Sequence, residues 1–320
     1  MSIKVQMERE VRRKNIKKAL RSVVEWLLLL GIVIGISLYL LFPKTYKEPD
    51  QTYWKQQKGF SVLAYNGVTR REKEGLITRE QLETHLKALK EAGYTSIGIQ
   101  EIIDYYEKGK PLPEQAVCIL FEDGRKDTVV FAQPLLEKYN FKAVMMTYAS
   151  QFLSKDRLFL KEKDLKRLDK NSYWEIGSSG YRFAYINVKE SEQTYNHYLM
   201  DYLRDGYGLA VETTQEMTER LSWDYDQLNA VYTEILGYQP RAYQIMHSNS
   251  LYAGMNEAVE KVNDQKIKEY FSIHFNREGT SYNTKQASPY DLNYCIVDEK
   301  WSAEELLLQL QEDKKVTYQE

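Results

Sequence analysis

The chain has 320 residues and a formal net charge of −2, long enough to bury one sizeable core once an N-terminal anchor is set aside. The near-zero total hides an asymmetry: residues 1–42 carry eight Lys/Arg against three Asp/Glu, a local +5 that leaves −7 for the rest. An acidic bulk repels phosphates and disfavours a nucleic-acid partner, and two cysteines, Cys118 and Cys295, are too few for a disulfide framework. Both read as buried strand residues that could pair if the fold brings their strands together. The 26 tyrosines suit a surface that stacks on sugar rings, and equally suit ordinary half-buried strands.

Residues 1–21 form a basic segment, and from Val23 to Phe42 the chain is apolar with one charge, Glu25. That length spans a hydrocarbon core. The run ends in Leu41-Phe42-Pro43-Lys44 without a small-x-small cleavage pattern, so residues 22–42 are expected to be an uncleaved transmembrane anchor rather than a signal peptide. Lys4, Arg9, Arg12, Arg13, Lys14, Lys17, Lys18 and Arg21 all precede it. The positive-inside bias then keeps the N-terminus cytoplasmic and places the rest of the cell-membrane protein outside. Residues 43–58 are polar without hydrophobic period and are expected to be a short tether.

From residue 59 short apolar runs alternate with helical stretches. Phe60–Val68 predicts a strand and Thr78–Ala92 a helix, opened by a Thr78-x-x-Gln81 capping box and closed by Gly93. A strand at Tyr94–Ile97, a helix at Ile99–Glu107, a strongly apolar strand at Ala116–Phe121, a helix near Thr128–Tyr139 and a strand at Lys142–Tyr148 follow. Next come a charged helix at Lys161–Asp169, a strand at Tyr173–Ile176 running into Gly177-Ser178-Ser179-Gly180, and a long Tyr- and Glu-rich stretch expected to hold two helices. Strands at Ala242–Met246, Tyr270–Phe275 and Leu292–Val297, a helix near Gly254–Val262 and a closing helix capped by Ser302-x-x-Glu305 complete the pattern. Such alternation argues an α/β fold with a mainly parallel sheet, open or closed into a barrel.

The order of these segments resembles the polysaccharide deacetylases, the NodB-homology or carbohydrate esterase family 4 group. The resemblance rests on Phe60-Ser61-Val62-Leu63-Ala64-Tyr65-Asn66-Gly67-Val68, on Leu89-Lys90-Glu91-Ala92-Gly93-Tyr94, on Pro111-Leu112-Pro113 and on Ile119-Leu120-Phe121-Glu122-Asp123-Gly124, which is similar to the family's Thr-Phe-Asp-Asp-Gly. Trp174-Glu175-Ile176-Gly177-Ser178 resembles the approach to the family's second motif, and Trp301-Ser302-Ala303-Glu304-Glu305-Leu306 its closing helix. The resemblance implies a distorted (β/α) barrel of about seven parallel strands over residues 59–320, its pocket at the strands' C-terminal ends, with an elaboration at about 185–236.

It also implies hydrolysis of an N-acetyl group on a sugar by a metal-bound water. The family's ligands are the second Asp of Thr-Phe-Asp-Asp-Gly and two His four residues apart, with the first Asp as general base. Carried over, these become Asp123, Ser179 and Phe183, with Glu122 as the base. Glu122 is one methylene longer, a displacement of about 1 Å that can cost on the order of a hundredfold. Neither Ser179 nor Phe183 can hold zinc as imidazole does, and one carboxylate alone makes no zinc site. The opening strand has Asn66 where many relatives have His.

Of the four His, His85 and His197 are expected on the solvated surface. His247 follows an apolar strand and would reach the functional face; His274 shares a face with Ser272 and Asn276. A relocated site from Asp123, His247 and His274 competes with the reading of polar residues lining an old pocket. Glu122 and Asp123 do not suit a glycosidase, because adjacent strand residues point to opposite faces. The expected site is therefore catalytic Glu122, Asp123 and His247, with Asn66, Ser179 and Tyr181 binding substrate and no metal or other cofactor unless the site is rebuilt. The expected partner is a carbohydrate polymer, cell-wall or exopolysaccharide, bound by a pseudoenzyme; the alternatives are an active N-deacetylase, or a scaffold for membrane partners that deletion of 185–236 would disable.

Overall fold

A computed structural model describes residues 3–41, 44–182, 185–189, 194–197, 199–205, 207–245, 251 and 255–317. They fall into two units, residues 1–45 and 46–320. In the first, helix α1 (Ile3–Leu41) runs without interruption, so the expected basic segment and apolar span are one helix. Its stretch Arg12–Ser37, 26 residues that contain an 18-residue window of mean hydropathy 2.0, is long and apolar enough to cross a membrane.

In the second unit seven strands close on themselves. They are β1 (Phe60–Tyr65), β2 (Ala116–Phe121), β3 (Ala143–Thr147), β4 (Trp174–Ser178), β5 (Ala242–Gln244), β6 (Ile273–Glu278) and β7 (Leu292–Ile296). Every neighbouring pair is parallel, from Leu63↔Ile119 between β1 and β2 round to Leu63↔Cys295 between β7 and β1. The ring order is thus the chain order. Helices lie between and after the strands: α2 (Arg79–Glu91), α3 (Ile99–Lys108), α4 (Lys126–Tyr139), α5 (Glu162–Asp169), α6 (Thr214–Leu236), α7 (Glu257–Tyr270) and α8 (Ala303–Thr317).

Alternation within each strand sorts the side chains. Phe60, Val62 and Ala64, Ala116, Cys118 and Leu120, and Val144 and Met146 join one buried cluster, the barrel interior. Their neighbours Leu63 and Tyr65, Val117, Ile119 and Phe121 join the layer under the helices. Thr78 caps α2 as its sequence predicts: its amide donates to Gln81 Oε1 at 2.8 Å, and Gln81's amide to Thr78 Oγ1 at 3.2 Å. The buried face of α2 is Leu82, His85, Leu86 and Leu89, so His85 is a core residue and not the expected surface one. Its Nε2 lies 2.9 Å from the Trp301 carbonyl. Cys118 and Cys295 are buried and unpaired; in these alternating rows one faces the interior and the other the helices.

The N-terminal end of the barrel is stoppered. Ile99, Ile102 and Ile103 of α3 join the interior cluster, and the α3 N-terminus meets the Glu175 carboxylate, whose Oε2 accepts from the Ile99 amide at 2.8 Å. Only glycine fits before it: a Cβ on Gly98 would stand 1.7 Å from Glu175 Oε1. Lys142 Nζ bridges Glu101 at 3.1 Å and Glu175 at 3.6 Å.

The segment expected to be a short tether is, from Tyr46 onward, part of this unit. Tyr46 is buried against Tyr173, its amide donates to Ser172 Oγ at 2.7 Å and its hydroxyl lies 3.2 Å from Ser96 Oγ. Gln56 pairs with Leu112, and Tyr105 donates to the Gln57 carbonyl at 2.9 Å. These partners stand at the N-terminal end of the strands, so residues 46–58 form a strap across that end. In the elaboration, a hairpin of Tyr185–Lys189 with Thr194–His197 and the single long α6 replace the two expected helices.

Candidate functional site

The C-terminal ends of β1 to β5 bring together most of the residues singled out in the sequence. Glu122 and Asp123 leave β2 directly beside the end of β1, since the Glu122 amide donates to the Tyr65 carbonyl at 2.9 Å. Asn66 is the next residue on β1's side, and Ser179 follows β4, its amide donating to the Thr147 carbonyl of β3 at 2.8 Å. The turn after β2 is built for close approach. Asp123 and Gly124 both take left-handed φ values, 65° and 59°, and a Cβ on Gly124 would meet Thr147 Cγ2 at 2.9 Å. Asp is among the few residues that accept this backbone through local hydrogen bonding.

Glu122 continues the inward row of Ala116, Cys118 and Leu120, so its side chain enters the top of the barrel. Gln244, inward on β5, donates through Nε2 to Glu122 Oε1 at 2.6 Å. Burial raises the Glu122 carboxyl to about 7, the neighbouring Asp123 charge adds to this, and the Gln244 hydrogen bond opposes it. Some of the residue's area is still solvent-accessible, but the carboxyl group itself lies among the interior side chains, and that local enclosure governs its proton. Tyr294, inward on β7, feels the same carboxylate. Neither Gln244 nor Tyr294 was singled out by sequence. The period-two alternation that places Glu122 inward also places both of them there, and would have found them.

Buried polar atoms gather at this end. Asn66 Oδ1, Gln244 Oε1 and the Tyr294 hydroxyl have no hydrogen-bond partner among the described residues, while Asn66 Nδ2 donates to the Gly75 carbonyl at 3.2 Å. Unpaired buried acceptors are costly, and three under one mouth suit a polar ligand. Ser179 is buried and its neighbour Ser178 accepts from the Gly180 amide at 3.2 Å.

Tyr181 turns towards α6. Its ring meets Trp223 edge-on at 5.6 Å, and the Arg182 guanidinium lies 4.6 Å over the same indole. Arg182 Nε stands 3.5 Å from Asp224 Oδ1. Burial raises the Asp224 carboxyl to about 7 in spite of that guanidinium.

Two expected participants, His247 and Phe183, lie outside the described residues. His274 does not join Glu122: with Ile273 and Phe275 in the interior, it faces outward, fully buried against Tyr243 at 5.3 Å. Among the described residues no group of three or more His, Cys, Asp or Glu stands close enough to hold a metal ion. Asp123 with Ser179 does not fit a zinc centre.

No family model matches the chain. It is 27% identical over 125 residues, 38% of its length and 44% of the other's, to YxkH of Bacillus subtilis, which carries the name of a polysaccharide deacetylase. It is 38% identical over 56 residues to the poly-β-1,6-N-acetyl-D-glucosamine N-deacetylase of Escherichia coli, 18% of this chain and 8% of that one. The chain thus spans less than half the length of these curated relatives. Among solved structures it matches a de-N-acetylase of Aggregatibacter actinomycetemcomitans (TM-score 0.65, 19% identity, 79% of this chain and all of that one). The deacetylase domain of BpsB from Bordetella bronchiseptica also matches (0.61, 16%, 79% and 98%). At these identities the likeness is one of fold.

Proposed function

We propose, from the barrel fold it shares with solved deacetylases and its partial sequence likeness to curated ones, that this chain is a membrane-anchored, extracytoplasmic pseudoenzyme of the NodB-type polysaccharide deacetylases. In this reading α1 is the anchor, with the basic segment cytoplasmic, and the barrel mouth binds an N-acetylated hexosamine polymer of the kind named for its relatives. The observation that carries it is the retained mouth: Glu122, Asp123, Asn66 and Gln244 stand at one end of the barrel, while Ser179 replaces an imidazole the family's chemistry needs. Unpaired acceptors on Asn66 and Gln244 suit amide and hydroxyl donors of such a sugar.

A second reading is favoured by one observation, the Glu122 carboxyl poised near neutrality, where a general base is most effective. There Glu122 takes a proton from an attacking water, the amide C–N bond breaks, and acetate and the free amine leave, with Asp123 and His247 in the rebuilt site. The test is zinc content of the full-length protein in detergent after zinc loading and desalting, together with acetate release from poly-N-acetylglucosamine. The pseudoenzyme reading expects polymer binding with neither stoichiometric zinc nor acetate. Zinc or acetate release that is lost in Asp123→Ala and His247→Ala would replace it by the second reading.

A further inference from the structure

At the opposite end of the barrel the strap and α3 line a separate, partly open cavity of about 160 Å³. Gln51 and Trp54 supply one wall, Glu101 and Asp104 of α3 another, and Lys110 with Pro111 the rim. The volume falls below the roughly 300–1,000 Å³ of pockets that take drug-sized molecules. It has room for one ring and not for a chain.

The charges of this wall are already matched. Asp104 accepts from Lys108 at 2.7 Å, Lys110 at 2.6 Å and Gln100 at 2.9 Å. Glu101 accepts from the Gly98 amide at 2.8 Å and lies 3.1 Å from Lys142, which also faces Glu175. A phosphate or a free amine would have to break into these pairs, whereas a neutral ligand would not. Hydrogen-bonding capacity remains on the carboxylates and ammonium groups, which hold more sites than these bonds use. The Gln51 side chain is exposed and Trp54 half-buried, so a carboxamide and an indole N–H are open to a ligand on this wall. Set against them are the apolar faces of Trp54 and Pro111. A ring with C–H faces and hydroxyl edges matches both kinds of wall at once.

We propose that this cavity is a second carbohydrate site, taking a single neutral hexose or N-acetylhexosamine ring, apart from the mouth. The choice of sugar rests on the polymer reading above; the site itself rests on the cavity. It would hold a free or chain-terminal sugar at the N-terminal end of the barrel, apart from the unit that the mouth engages.

The test is a titration of full-length, ¹⁵N-indole-labelled protein in detergent with N-acetylglucosamine, following the Trp54 signal assigned by its loss in Trp54→Phe. The signal is expected to move saturably, and Gln51→Ala to weaken the midpoint about fivefold, the equivalent of one lost hydrogen bond of about 1 kcal/mol. Asp123→Ala should leave that midpoint unchanged. A stationary Trp54 signal while the polymer still binds at the mouth overturns the second site and leaves the mouth reading standing. A moving Trp54 signal with no binding at the mouth upholds the site and counts against the mouth. A response to inorganic phosphate but not to the sugar overturns the assignment of a neutral ring.

Discussion

At the scale of single residues, Glu122 and His274 pull stability in opposite directions with pH. The Glu122 carboxyl is raised from its usual value to about 7, so the stability it contributes is full below about 4.5 and is lost as pH rises through about 7. Glu122→Gln should remove that loss, a gain on the order of 1–3 kcal/mol near pH 8 by denaturant unfolding. Gln244→Leu removes the hydrogen bond that favours the carboxylate, so the Glu122 titration followed by ¹³C NMR should move to higher pH. An unmoved or lowered midpoint would show that Gln244 does not tune the group. His274 is the reverse case. Burial holds its ring down to about 3, only partly offset by the Tyr290 backbone; its contribution is present above about 6.5 and lost as pH falls towards 3. His274→Phe should therefore unfold at a lower pH than the parent in an acid titration followed by circular dichroism.

The legibility of residues in the sequence follows from their patterns. Glu122 and Asp123 were readable because their run resembles the family's Thr-Phe-Asp-Asp-Gly and the apolar strand before them announces its own end. His85 was misread although it sits three residues after Leu82 and four before Leu89, within the apolar stripe of its helix. Ser179 was placed by resemblance alone, because a serine in a glycine-serine turn has no chemical signature of its own.

At the scale of elements, capping boxes and glycine stops located both ends of α2 and α3, and the start of α8, to within a residue or two. The Ser302 box is present, with the Ser302 amide donating to Glu305 Oε2 at 2.7 Å. The strap was illegible for a physical reason: residues 43–58 have no apolar period, and only Tyr46, with Trp54 packed partly against the interior cluster, supplies apolar contact to the core. Tyr46→Ala should cost about 2–4 kcal/mol, and Tyr46→Phe about 1 kcal/mol, in urea unfolding. Equal losses would show that the ring contributes no packing beyond its hydroxyl. The second half of the elaboration reads as a helix because Leu221, Tyr225, Leu228, Tyr232 and Ile235 recur on one buried face. The part before it has no such period. Its turn is organised instead by Asp205, which accepts from the Tyr207 and Leu209 amides at 2.9 Å each. The α3 stopper makes a further prediction: Gly98→Ala should lower stability by about 1–3 kcal/mol, because the new methyl group must displace the Glu175 carboxylate.

At the scale of the whole barrel unit, strand-helix alternation was enough to predict a parallel sheet, and the family resemblance to predict its closure. Period-two patterning alone does not distinguish an open sheet from a ring; closure depends on β7 pairing with β1, a contact between residues far apart in sequence. The polypeptide enters this unit at Tyr46, at the stoppered end, whereas Asn66, Glu122 and Ser179 stand at the other. The mouth and the point where the chain enters are thus at opposite ends of the barrel. On the proposed function, the strap then stands clear of a glycan at the mouth, so a long chain could lie there by its middle and need not present a free terminus. Oligosaccharides blocked at both ends should accordingly bind as tightly as unblocked ones of the same length.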